Sequence, residues 1–142
     1  METTFELHQA LHRDCVEILD LKLSKLLLMN DSQYPWFILV PKRSNIEDIY
    51  QLDWQDQQQL LNESSALSEI LMQVFTGKKM NVAAIGNVCP QLHLHHIVRY
   101  ESDIAWPKPV WGFKPAIAYS AKEIDQLKAK LLPALKRVLM PE

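Results

Sequence analysis

Glycine, cysteine and long apolar runs are all scarce in this chain, and each scarcity narrows what it can be. Glycine occurs only three times in 142 residues. No Gly/Ser/Pro-rich linker, internal repeat or low-complexity stretch divides the sequence, so one domain is expected over residues 1–142. Cysteine occurs twice, as Cys15 and Cys89, too few for a disulfide framework and not spaced as a metal-binding pair. Two reduced thiols are expected. The longest apolar runs, residues 26–29 and 36–40, fall far short of the roughly 20 residues that span a bilayer. Residues 1–6 have neither the basic start nor the apolar centre of a secretory leader. These features point to a cytoplasmic protein with no membrane partner. A charge excess is missing too: 15 Lys and Arg against 17 Asp and Glu give a net charge of -2. That offers no basic footprint for a nucleic acid polymer, and Pro41-Lys42-Arg43 is too short to supply one. Small nucleotides are not excluded. What is present, 48% hydrophobic and 23% charged residues, is the composition of a globular domain.

Leu7, Leu11, Cys15 and Ile18 recur at helical spacing, which predicts an amphipathic N-terminal helix over about residues 5–19. Leu21 and Leu23 alternate with Lys22 and Ser24 as extended chain leading into a strand over 26–29. Asn30-Asp31-Ser32-Gln33-Tyr34-Pro35 is turn chemistry. Residues 36–40, a continuous apolar run stopped by Pro41, read as a neighbouring strand buried on both faces. Asp53 is placed to cap a long helix with Asp56 in its first turn. Leu60, Leu67, Leu71, Val74 and Phe75 form the apolar face of that helix, Gln57, Gln58, Glu63 and Glu69 lie off it, and Gly77 is the expected C-cap. Residues 81–85 and 91–99 read as a third and fourth strand around a Gly86-Asn87 turn. Ser120 and Glu123 form a capping box for a C-terminal helix over 120–139. Ile124, Leu127, Leu131 and Leu135 share one face of it, and Pro133 is expected to kink or loosen it. Strands joined by short turns, with helices packed on them, predict an α+β fold on an antiparallel sheet.

Three of the five histidines crowd into four positions: His93, His95 and His96. On a strand Gln91, His93 and His95 share one face, while Leu92, Leu94 and His96 share the other. Two imidazoles and an amide in a row on an otherwise apolar strand are costly unless used or well bonded. His8, His12 and His96 read as structural. Two chemistries fit His93 and His95. A His-x-His pair can give two ligands to zinc or another divalent ion, but no spacing marks a third. Alternatively, a neutral imidazole can attack phosphorus and form a phospho-histidine, splitting one displacement into two easier steps. Imidazole as a class titrates near neutral pH, which suits that role.

The run Pro90-Gln91-Leu92-His93-Leu94-His95-His96-Ile97 resembles the signature of the histidine triad (HIT) superfamily, His-φ-His-φ-His-φ-φ with φ apolar. Phe37-Ile38-Leu39-Val40-Pro41-Lys42 resembles the strand that reads "LVIPK" there. Trp106-Pro107 sits where nucleotide-binding members often carry Trp-Pro, and the order of elements agrees. The resemblance covers roughly residues 20–112, with an N-terminal helix (1–19) and a C-terminal helix (120–139) as additions to that core. It implies an antiparallel sheet of about five strands flanked by helices, assembled as a homodimer. It implies a nucleotide hydrolase or nucleotidyl transferase acting at an α-phosphate, on dinucleoside polyphosphates, nucleoside phosphoramidates and related conjugates. No metal and no other cofactor is implied. The middle position, His93, is the implied nucleophile. His95 lies beside the phosphate and leaving group, where a hydrogen bond would help expel it.

The sequence departs from the pattern twice. Gln91 replaces the first triad histidine; it can hydrogen-bond but cannot carry a proton between pH 5 and 8. It is counted with His93 and His95 as a catalytic residue, expected with His95 to support the phosphate and leaving group. Trp36 replaces a histidine usual before "LVIPK" and is counted with the substrate contacts. A bacterial subgroup with Gln at the first triad position shares this "PQLH-x-H" run and a segment like 105–112. Asn30 or Asp31 resembles the position where an acidic residue binds ribose hydroxyls, with a turn role as the alternative. Asn87, just before the triad, is placed to reach phosphate. Arg99 shares the face of His93 but lies about 20 Å along the strand, so a surface role is expected for it. Trp106, Pro107, Pro109 and Trp111 read as a loop packed over the sheet or as a wall of the nucleotide pocket. A nucleotide-binding module with little or no catalysis is the alternative function.

Overall fold

The apolar runs become neighbouring strands in the computed structural model, which describes residues 5–140. After a one-and-a-half-turn helix α1 (Gln9–Asp14), the chain forms β1 (Cys15–Asp20), β2 (Ser24–Met29) and β3 (Trp36–Pro41). A long helix α2 (Trp54–Phe75) leads to β4 (Lys79–Ala84) and β5 (Leu94–Arg99), and α3 (Ala121–Leu139) closes the fold. The strands lie in the order β1-β2-β3-β5-β4, antiparallel throughout. The expected α+β class, the five-stranded sheet and the terminal helices are all present.

Alternation of side chains along the sheet splits the interior in two. Leu26, Leu28, Phe37, Leu39, Leu94 and Val98 face Leu60, Leu67 and Leu71 of α2 and Leu131 and Leu135 of α3. Leu27, Trp36, Ile38, Val40 and Ile97 point the other way, onto Leu11, Cys89, Ala105 and Val110. Both faces of β3 are therefore buried, as its uninterrupted apolar run predicts. Asp53 caps α2 by accepting from Asp56 N–H, and the Ser120–Glu123 capping box opens α3, which continues through Pro133.

Five expectations need correction. The N-terminal helix stops at Asp14, and residues 15–20 pair with β2. Helical spacing there competes with Val16 and Ile18, β-branched residues that suit a pleated surface, and cross-strand contacts decide the outcome. Lys25 also clamps that pair through ion pairs of 3.1 Å to Glu17 and Asp20. At the end of α2 it is Thr76, with φ 51°, that takes the left-handed C-cap conformation. Gly77 answers a packing need instead, since a Cβ there would lie 2.3 Å from Val98 Cγ1. Glu63, expected off the apolar face, is buried and accepts from the Leu23 N–H at 2.8 Å, tying α2 to the turn between β1 and β2. Finally, the last strand begins at Leu94, leaving Gln91 and His93 in the approach to it, and Arg99 at its far end is fully buried.

Candidate active site

His93 is 6% exposed, and its Nδ1 lies 2.7 Å from the carbonyl oxygen of Gln91. A carbonyl can only accept, so Nδ1 is the donor, and in the neutral ring the proton sits there. Nε2 is then left with a bare lone pair and no partner among the described residues. This is the tautomer a nucleophilic imidazole requires.

His95, 3% exposed, stands beside it with ring centroids 4.9 Å apart. Its Nδ1 accepts from the indole N–H of Trp36 at 3.0 Å. Indole nitrogen only donates, so the proton of His95 belongs on Nε2, and the Ile85 carbonyl accepts from the ring. Burial, followed by the neighbouring His93, pushes its pKa down to about 4, against the opposing pull of the Ile85 carbonyl. His95 is thus a neutral ring with both nitrogens engaged by the protein. Trp36 reaches it because β3 pairs with β5 in a register that sets Ile38 opposite His95 and Trp36 opposite Ile97, on one face.

His96 points into the helix-side core and is fully buried. Its Nδ1 faces the Leu94 carbonyl at 3.0 Å, and its Nε2 meets Ser64 Oγ of α2 at 2.7 Å. The carbonyl fixes Nδ1 as donor, so Nε2 accepts from the serine hydroxyl. Burial lowers its pKa to about 4 as well. Ser64 is the partner that no sequence spacing marked.

Two hollows meet at His93. The larger, about 400 Å³, is walled by Leu11, Met29, Trp36, Cys89, His95 and Trp111, with Arg13 and Asp14 among its polar lining. The smaller, about 220 Å³, has Glu47, Asp48, Gly86 and Pro90 around it. Asn87 and His93 line both. Of the residues singled out in the sequence, His93, His95, Asn87 and Trp36 come together here. Gln91 does not present its side chain to the hollows: its amide bonds to the main chain of Glu6 and His8. Asn30 and Asp31 lie outside the lining. Asn30 Oδ1 accepts from Tyr119 N–H, and Asp31 Oδ1 accepts from the N–H groups of Gln33 and Ile117. Both hold the segment that leads into α3.

The wall contributed by α1 was invisible in the sequence, because its residues carry no motif and reach the site only through the fold. Trp111 was visible as one member of an aromatic-proline segment. Its ring stands 5.1 Å from that of His95 and 5.7 Å from that of Trp36. Trp106, by contrast, stacks over Arg99 at 5.6 Å. Arg99 itself makes a two-pronged ion pair with Asp103 at 2.8 and 3.1 Å, bonds Asn81 Oδ1 and donates to the Lys108 carbonyl. Burial alone would raise the Asp103 carboxyl, but the hydrogen bonds and charge of Arg99 outweigh it and hold it low. The expected surface arginine is therefore the buried brace of the 105–111 loop. Its charge is supported because four guanidinium N–H bonds reach acceptors on Asp103, Asn81 and Lys108.

Neither thiol competes with His93. Burial first, then Asp14 and Cys89, pushes Cys15 up to about 12, and burial raises Cys89. Among the described residues no three His, Cys, Asp or Glu side chains converge as a metal set, and no helix is long and apolar enough to cross a membrane.

The family model for the HIT domain matches residues 11–102. A histidine triad protein from Marinobacter aquaeolei VT8 is 52% identical, with a TM-score of 0.94 over 96% of this chain and 99% of that one. One from Bradyrhizobium japonicum is 41% identical, with a TM-score of 0.89 over 96% of this chain and 99% of that one. Another, from Sinorhizobium meliloti 1021, is 39% identical, with a TM-score of 0.91 over 93% and 98%. The terminal segments are shared with these relatives, and β1 falls within the family match. Comparison with curated proteins gives no match. With all five strands inside the matched region and three relatives superposing over nearly their whole length, this chain belongs to the histidine triad (HIT) family.

Proposed function

We propose that the protein hydrolyses or transfers the nucleoside monophosphate part of a nucleotide conjugate through a covalent nucleotidyl-histidine at His93. The observation that carries this reading is the bare Nε2 of a buried His93 set where two hollows meet, with Nδ1 already committed to the Gln91 carbonyl. The Nε2 lone pair bonds to the α-phosphorus as the bond from phosphorus to the leaving group breaks. The leaving group keeps that electron pair and takes a proton from water. His93 now bears a positive charge, and its Nδ1–H stays on the Gln91 carbonyl. A water oxygen then bonds to phosphorus, the Nε2–P electrons return to the ring, and a proton is released to solvent.

A neutral His95 suits this sequence, because a charged ring 4.9 Å away would oppose the charge that His93 acquires. The nucleoside occupies the larger, aromatic-walled hollow and the leaving group the smaller one, with the Asn87 amide at the phosphate between them. Substrates are of the dinucleoside polyphosphate or nucleoside phosphoramidate type. In this reading His95 supports the site as a fixed ring, and Asp31 braces the segment that leads into α3. The working form is a homodimer in the cytoplasm. Support for the dimer comes from β4, an open edge of the sheet with Val82 46% exposed.

The second reading, a nucleotide-binding module with little turnover, draws on a specific observation. The Gln91 amide and both nitrogens of His95 are bonded within the protein, so no spare donor from the triad faces a leaving group.

The deciding experiment is a metal-free hydrolysis screen with diadenosine polyphosphates and adenosine phosphoramidates, wild type against His93→Ala. Turnover by the wild type that vanishes in the variant is the expected result. Equal turnover by both rejects His93 as nucleophile, and AMP binding with no turnover by either moves the assignment to the binding module.

A further inference from the structure

Replacing a triad histidine by glutamine gives Gln91 a second task that a histidine cannot perform. The side chain leaves the line of His93 and His95 and turns to the N-terminal segment. Its Oε1 accepts from the His8 main-chain N–H at 2.8 Å, and its Nε2 donates to the Glu6 carbonyl at 2.9 Å. These groups sit two residues apart along extended chain, as the bonding groups of a strand do. A carboxamide carries an acceptor and a donor side by side, so it pairs with both. A neutral imidazole has one of each, but they diverge across the ring and cannot meet both main-chain groups.

The segment held in this way matters to the site. Phe5, Leu7 and Ala10 pack on the cleft-side core, and Leu11 is 4% exposed within it. Ala10, Leu11, Arg13 and Asp14 then form one wall of the larger hollow. Without the clamp this wall rests on a six-residue helix, too short to be stable alone. The main chain of the same residue faces the other way, with the Gln91 carbonyl fixing His93 Nδ1 at 2.7 Å.

We infer that Gln91 is a positioning residue that clamps residues 6–8, and so holds the N-terminal wall of the larger hollow against the nucleophile's loop. It governs affinity for the nucleoside part of the ligand and leaves the chemical step largely alone. The words nucleoside and chemical step rest on the function proposed above; the clamp rests only on the geometry.

The test uses Gln91→Leu, which keeps the volume and removes the amide, and Gln91→Glu, which keeps the acceptor for His8 and loses the donor. Hydrogen exchange of the amides in residues 5–14, titration with AMP and steady-state kinetics are read for each. In Gln91→Leu, exchange in that segment rises about tenfold, the Kd for AMP and the KM rise about tenfold, and kcat stays within about twofold. Gln91→Glu falls between Gln91→Leu and the wild type in exchange and in Kd. Unchanged exchange in Gln91→Leu overturns the clamp. A fall in kcat with unchanged Kd and KM overturns it as well, by placing the amide at the phosphorus. If the wild type turns over no conjugate, the proposed function fails, and exchange together with AMP titration still decides the clamp.

Discussion

His93 and His96 are three residues apart on one stretch of chain, yet they have opposite fates. His96 lies on the helix side, where Leu94 and Ser64 occupy both nitrogens and the leucines of α2 and α3 exclude water. His93 lies on the cleft side, almost as buried, but with one nitrogen satisfied and the other open to a hollow. Between them His95 has the cleft-side location of His93 and the full hydrogen bonding of His96. Burial and residue type do not separate these three rings. What separates them is the count of nitrogens left unpaired, since a buried polar group is normally partnered and an exception calls for a reason.

The widest separation between the two faces is expected in His93→Ala. Turnover should drop by about a thousandfold or more, on the order of 4 kcal/mol in the barrier, while urea midpoints stay close to wild type. Loss of activity only in proportion to loss of folded protein would erase the distinction between His93 and His96.

Acid should next expose what His95 and His96 share. Both are held near pKa 4, below the ordinary 6.5, mainly by burial. Between those values the unfolded chain binds more protons than the folded one, so stability rises with pH across this window. It is fully present above about pH 6.5 and is lost progressively as the pH falls through 4. Each ring contributes at most about 3 kcal/mol. Urea unfolding followed from pH 7 to pH 4.5 measures the slope, and His96→Leu should remove roughly half of it. A flat profile in the wild type would show that neither ring is held neutral.

Ser64→Ala sharpens the contrast on the helix side alone. It strands a buried imidazole nitrogen and should cost about 1–3 kcal/mol of stability, read from thermal or urea unfolding, with kcat unchanged. A loss of kcat without loss of stability would tie the two faces together.

The smallest effect is expected from Trp36→Phe, which keeps an aromatic ring beside His95 but removes the indole donor. The freed Nδ1 can then take a proton, so the His95 pKa should rise by about one unit and the ring should populate both tautomers. Nitrogen-15 shifts of the imidazoles report both quantities. An unchanged tautomer would mean that the Ile85 carbonyl alone fixes it.

The local sequence determined a great deal. An apolar run bounded by turn residues became β3, a capping box became the start of α3, and two histidines at i and i+2, one in β5 and one in the approach to it, came to line the same cleft. It also supplied the family resemblance, which rests on chemistry-bearing residues at fixed spacing. Tertiary structure decided the rest, for reasons of long-range pairing. Residues 15–20 carry a helical repeat and became a strand because β2 offered a partner edge. Arg99 reads as a surface cation but was buried once Asp103, Asn81 and the Lys108 carbonyl surrounded it. Gln91 reads as a triad member, but Glu6 and His8, more than eighty residues away in sequence, took its amide. Which nitrogens are free is settled by contacts of this kind. The sequence by itself could place an imidazole on a face, and only the packing of α1, α2 and β3 around it decided which one was left able to react.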